Sequence, residues 1–154
     1  MKDLKLKLLI EQLDRKFQAL AGFENIVVPS EGWIYSVRTA LKMTLKQLGA
    51  KLNITAQSVK EIEQREKNGS ITLNSLKEVG NALDLQFVYA FIPKEKTLKA
   101  LIDKRAREIA EKIVLRTSTT MSLEDQQNST ERIRQAIDDL TEEIKREMPR
   151  YLWD

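Results

Sequence analysis

The residues able to do covalent chemistry are few in kind. The 154-residue chain has no Cys and no His, which removes disulfides, Cys/His zinc sites, Ser-His-Asp triads and cysteine nucleophiles. Carboxylates, Lys, Tyr and Ser remain. The carboxylates lie on segments rich in Lys and Arg, where solvated ion pairs are their ordinary role. The chain therefore reads as a non-enzyme with no cofactor and no metal. What is left is recognition. Around Val59 and Ile62, which form an apolar stripe, stand Ala56, Gln57, Lys60 and Glu61, a polar outer face offered to a partner. Trp33 to Lys67 carries Arg38, Lys42, Lys46, Lys51, Lys60, Arg65 and Lys67 against Glu61, Glu63 and Glu66, a balance suited to phosphates. Ser118 to Asp154 leans acidic, which suits a protein partner or a solvated face.

The elements that must position the polar face lie between Thr44 and Glu63. Thr44 is a good N-cap, and Gln47 three residues on completes a capping box. Leu45, Leu48 and Leu52 repeat at helical spacing. Asn53 falls where this helix must stop and tolerates a left-handed backbone. Thr55 caps again, and Val59 and Ile62 carry the second stripe. The pattern predicts two short helices joined by a tight turn, a helix-turn-helix.

The order Thr-x-x-Gln-Leu-Gly-Ala-x-Leu-Asn-x-Thr-x-x-Ser-Val-x-x-Ile-Glu over 44–63 resembles the XRE (Cro/phage-repressor) helix-turn-helix. Such domains usually carry Ala where Gly49 stands and often Gly where Asn53 stands, and both exchanges read as mild. The segments LDRKF, GWIYSVRTALKMTLKQLG, GSITLNSLKEVGNALDLQFVYAFIPK and TMSLEDQ extend the likeness to the family called mobile mystery protein A. Its members are typically encoded beside a Fic-domain protein, mobile mystery protein B, and are regarded as antitoxin-like regulators. The resemblance implies a mainly α fold with a five-helix-type, lambda-repressor-like domain, one short strand, and helical extensions at both ends. It divides the chain into an arm (1–30), the DNA-binding domain with its terminal strand (31–92) and a helical region (93–154). It implies a repressor of its own promoter, bound to an inverted repeat of double-stranded DNA and partnered with a Fic toxin, and the two-sided strand Leu85–Ile92 with the seam at Leu6–Leu20 predicts a homodimer. A stand-alone XRE regulator is the alternative.

Site residues follow from the resemblance position by position. The start of the second helix would enter the major groove. Thr55 would cap it near a phosphate. Ala56, Gln57 and Glu61 would face bases: Gln57 an adenine edge, Ala56 a thymine methyl, Glu61 a cytosine amine. Ser58, Lys60, Thr44, Lys46 and Gln47 would meet the backbone. Fic-inhibiting helices resemble Ser/Thr-x-x-x-Glu-Gly/Asn. Thr120-Met121-Ser122-Leu123-Glu124-Asp125 fits the first five positions and fails at the last. In that role Glu124 would pair with an active-site Arg and obstruct the nucleotide γ-phosphate. The same residues also suit a helix cap with acids near the positive end of the helix dipole.

The remaining chain reads as helices around one apolar strand. Leu6, Ile10, Leu13, Phe17 and Leu20 make a seam over Lys2–Ala21, either a dimerisation arm or a helix packed on its own domain. Trp33, Val37 and Leu41 read as the inward face of the next helix, with Trp33 a core anchor, Ile34 at the margin, and Arg38 and Lys42 outward. Glu66–Ser70 reads as a turn. Leu73, Leu76, Val79, Ala82 and Leu83 mark another helix after Thr72. Leu85–Ile92 alternates by period two and is apolar on both faces. It predicts a strand needing an edge, from Ile26–Val28 or from a second subunit. Lys94–Arg116 reads as a helix broken by Thr117–Thr120. The last helix is capped by Ser129 or Thr130 and lined by Ile133, Ile137, Leu140 and Ile144. Tyr151 and Trp153 either fold back or form a hook. No apolar run approaches the roughly 18 residues of a membrane span, and the N-terminal Leu8-Leu9-Ile10 is too short for a signal peptide, so the expected location is the cytoplasm.

Overall fold

The computed structural model describes residues 2–121 and 126–154, with side chains outside 118–129. The chain is mainly α, as expected: seven α-helices and no strand among the described residues. No described helix is long and apolar enough to cross a membrane. Two compact units form, Asn25–Ala90 and a second from Met1–Glu24 with Phe91–Asp154.

The Asn25–Ala90 unit holds α2 (Trp33–Ala40), α3 (Leu45–Leu52), α4 (Ala56–Asn68) and α5 (Leu73–Ala82), four helices rather than five. Their stripes meet in a core of Ile34, Leu48, Val59, Val79 and Leu83. Each of α3, α4 and α5 begins on a Thr whose hydroxyl accepts from the N–H three residues on, so the local signals decide where these helices start. The inward face of α2 differs from the expectation. Ile34 is buried, while Trp33 and Leu41 stay 47% and 57% exposed. The face is rotated because Arg38, four residues after Ile34, also turns inward, toward Glu63 of α4. Leu73 is exposed as well.

Glu66 does not lie in a turn. Helix α4 runs to Asn68 and ends on Gly69 at φ 82°. From its last turns Glu66 reaches the start of α2, accepting from the N–H of Trp33 at 3.0 Å and of Ile34 at 2.8 Å. These N–H groups have no partner inside their own helix, so a carboxylate from α4 caps α2 and fixes the two together. Gly32, at φ 90°, lets it in: a Cβ there would sit 2.7 Å from Glu66 Oε1.

The second unit packs α1 (Lys2–Ala19), α6 (Leu98–Met121) and α7 (Gln126–Glu147). Ile102, Ala106, Ile109, Ala110, Ile144 and Leu152 are its core, with Ile10, Ile137, Leu140 and Met148 against them. Segments that the sequence reading divided, 1–30 and 93–154, thus share one core. Asp14 of α1 repeats the device of Glu66, accepting from the N–H groups of Leu98 (2.7 Å) and Lys99 (3.3 Å) at the start of α6. Helix α6 starts at Leu98 rather than Lys94 and continues through Thr117–Thr120 instead of breaking there. Thr117 is accommodated within it, its hydroxyl donating back to the carbonyl of Ile113 at 2.9 Å, the usual arrangement of a threonine inside a helix. Ser129 and Thr130 fall inside α7 rather than at its cap. Charges on these helices pair across them. Arg107 meets Asp138 at 3.0 Å, and Lys145 meets Asp103 at 3.1 Å. The hydrogen bond to Asp103, and then that to Glu142, raises the Lys145 pKa above the ordinary lysine value. The C-terminal residues fold back in part: Leu152 is fully buried, and its carbonyl accepts from Arg105 at 2.7 Å, while Tyr151 and Trp153 are half exposed.

The expected strand does not form within one chain. Leu85–Ile92 and Ile26–Val28 are both irregular, and no hydrogen bond joins them among the described residues. An extended segment without a neighbour has no ladder to make it a strand.

Candidate nucleic-acid interface

Helices α3 and α4 are joined by three residues, Asn53 to Thr55. Thr44 and Gln47 form the expected capping box: the Gln47 N–H donates to Thr44 Oγ1 at 3.0 Å, and the Thr44 N–H donates to Gln47 Oε1 at 2.8 Å. That leaves the Nε2 donors of Gln47 for an outside acceptor. Asn53 takes the left-handed conformation at φ 59°. The Ile54 N–H then returns to the Gly49 carbonyl at 2.8 Å. Thr55 accepts from the Ser58 N–H at 3.0 Å, and its hydroxyl contacts Ser58 Oγ at 2.9 Å. The first turn of α4 is therefore held by side chains of its own segment.

The candidate residues lie as one structural group on these two helices. Thr44, Lys46, Gln47, Thr55, Gln57, Lys60 and Glu61 are exposed, and Ala56 and Ser58 are half-buried. Leu48 and Val59 hold the opposite faces in the core at 0% exposure, so Gln57, Lys60 and Glu61 point outward. Glu61 has a cation beside it, Arg65 at 3.8 Å one turn on.

Ion pairing changes the charge of the region from what composition suggests. Arg38 is not outward. Its Nε and Nη2 donate to the two carboxylate oxygens of Glu63, and its Nη1 donates to the Met43 carbonyl at 2.9 Å. It also lies 5.5 Å from the Tyr35 ring centroid. Lys67 is bound to Glu31 at 3.0 Å. Lys42, Lys46, Lys51 and Lys60 are exposed and have no acid partner among the described residues. These four cations of 33–67 are not committed to an acid among the described residues. The sequence reading named Lys46 and Lys60 as contacts and passed over Lys42 and Lys51. The signal was their place on or beside the capped helix α3. Arg38 and Glu63 were missed too, though each sits four residues after a buried apolar residue, Ile34 and Val59.

The backbone of Thr120 belongs to α6. Its side chain, and Glu124 altogether, lie outside the described residues.

No protein-family model, curated protein or solved structure matches this chain.

Proposed function

We propose that Asn25–Ala90 is a helix-turn-helix DNA-binding unit of the lambda-repressor type, with α4 as its recognition helix, and that the chain is a transcriptional repressor rather than an enzyme. The observation that carries this is the pre-formed N-terminus of α4. It is capped by Thr55, leaves Gln57, Lys60 and Glu61 outward, and belongs to a unit with four exposed lysines, Lys42, Lys46, Lys51 and Lys60, that have no acid partner among the described residues. Gln57 would read an adenine edge and Ala56 a thymine methyl. Lys46, Lys60 and the Gln47 amide would hold phosphates, and Thr44, Thr55 and Ser58 would set the helices against the backbone. Glu61, with Arg65 3.8 Å away, would accept from a cytosine amine with somewhat less repulsion from phosphate than a lone carboxylate.

The operator would be an inverted repeat bound by a homodimer, with half-sites about one helical turn apart or a multiple of it. Fluorescence anisotropy with DNA from upstream of the chain's own gene tests this. Gln57→Ala is expected to cost about 1–3 kcal/mol and to relax the choice at one base pair. Lys46→Ala should weaken all sequences about equally and lower the salt slope by about one ion. Unchanged affinity and base preference in Gln57→Ala would remove α4 from the recognition role.

The antitoxin half of this reading is supported by the pattern Thr120–Glu124 alone. In it, Glu124 makes a charge-assisted pair with an arginine of a Fic partner where a phosphate would sit. Co-expression with the neighbouring gene product and labelled-nucleotide transfer test it. Glu124→Gly should leave a weakened complex and abolish inhibition of AMP transfer, with DNA binding unchanged. Equal suppression by both forms would place inhibition elsewhere, and failure to co-purify any Fic protein would leave a stand-alone regulator.

A further inference from the structure

Leu85–Ile92 reads LQFVYAFI, eight residues without a charge. In the single chain most of this apolar segment is exposed, Val88 at 67%, Tyr89 at 66% and Phe91 at 86%, with Phe87 and Ile92 half-buried. Its backbone is open too. After the Leu85 N–H bonds to the Gly80 carbonyl, no further backbone hydrogen bond is made among the described residues until Lys96. The rings of Phe87 and Tyr89, two residues apart, stack at 6.0 Å between centroids, so these two side chains share one side of the segment. Free-standing edges of this kind are normally protected by Lys, Pro or a bulge. None stands inside this segment, and Pro93 only closes it.

We propose that Leu85–Ile92 becomes a strand by pairing antiparallel with the same segment of a second copy, about a two-fold axis at Val88. A second copy is favoured over a different partner because the segment complements itself. A two-fold axis through a residue keeps each face opposite itself. Centred on Val88, it sets Phe87 against Tyr89 and Leu85 against Phe91 on one face, and Val88 against itself on the other. Aromatic and β-branched cross-strand pairs of this kind stabilise a ladder. No like charges meet, and Pro93, which has no N–H, stays outside the ladder. The pairing supplies the edge that neither this chain's Ile26–Val28 nor any other described segment provides. It does not depend on the DNA-binding reading, and its test uses no DNA.

The chain has no native cysteine, so single cysteines report the axis directly. The whole chain carrying Val88→Cys should oxidise to a disulfide-linked dimer under mild conditions. Asn74→Cys, an exposed position on α5, should not. Light scattering on the unmodified protein should give twice the chain mass at micromolar concentration. Val88→Lys, which puts two ammonium groups face to face across the axis, should weaken the dimer about tenfold. Val88 is exposed in the single chain, so neither change disturbs a folded core, and the helical circular dichroism signal should be unaltered. The proposal is overturned by a monomer at every concentration, by a dimer indifferent to Val88→Lys, or by Val88→Cys cross-linking no better than Asn74→Cys.

Discussion

Glu63→Ala is expected to destabilise the Asn25–Ala90 unit by about 3–5 kcal/mol, because it strands a buried guanidinium. Arg38 and Glu63 side chains are only 10% and 8% exposed. All three hydrogen bonds of Arg38 are directed inward, two to Glu63 and one to the Met43 carbonyl. Truncation takes away the carboxylate and leaves the cation beside the apolar core with no water to replace it. A domain with a total stability of about 5–15 kcal/mol loses much of it. Removing both charges should behave differently. Arg38→Met with Glu63→Leu restores apolar volume and should recover most of the loss. The bond to Met43 stays missing, at a cost of about 1 kcal/mol. The measurement is urea unfolding followed by Trp33 fluorescence in a Trp153→Phe background, so that the second unit stays silent. A loss below about 1 kcal/mol for Glu63→Ala would mean that the pair is solvated and that α2 is held by Glu66 and the apolar core alone.

That pair also marks where the fold stopped being readable from the sequence. Features decided within one helix were legible: the Thr44–Gln47 capping box, the caps at Thr55 and Thr72, and the left-handed stop at Asn53. So was the α7 stripe through Ile137, Leu140 and Ile144. Their causes are local hydrogen bonds and periodicity. The features that were misread depend on a neighbouring helix. Glu63, Glu66 and Asp14 look like surface acids until α2 or α6 brings its N–H groups or its Arg38 to them. Trp33 invites a core position by its size, yet its backbone N–H, not its ring, makes the tie to α4. Leu85–Ile92 has the alternation of a strand but no partner strand within its own chain. At the candidate interface, the outward row of α4 could be read from periodicity. Which lysines remain free could not, because that depends on where Arg38 and Lys67 find their acids.

Gly49→Ala is the sharpest test of how the two helices are joined, and it is expected to impair both folding and binding. By sequence resemblance the exchange looks mild, since the helix-turn-helix domains it resembles usually carry Ala there. The geometry of this chain says otherwise. A Cβ on Gly49 would stand 2.6 Å from the Ile54 carbonyl oxygen and 3.2 Å from the Thr55 carbonyl carbon. Both are backbone atoms and cannot rotate aside. The same turn is clasped from the other direction by the Ile54 N–H on the Gly49 carbonyl, so relief requires moving residues 54 and 55 together. Overpacking of this kind costs about 3 kcal/mol. Ala recovers about 1 kcal/mol through its better helix propensity, leaving a net loss of about 2 kcal/mol. The displaced residue is Thr55, whose hydroxyl caps α4 through the Ser58 N–H. The fraction that still folds should therefore present Ala56 and Gln57 out of place and bind operator roughly tenfold more weakly, a loss of about 1.4 kcal/mol. Urea midpoints and anisotropy titrations on the same preparation separate the two effects. If Gly49→Ala keeps full stability and affinity, the turn widens as readily here as in domains that carry Ala, and the close approach of α3 to residues 54 and 55 does not set the position of α4.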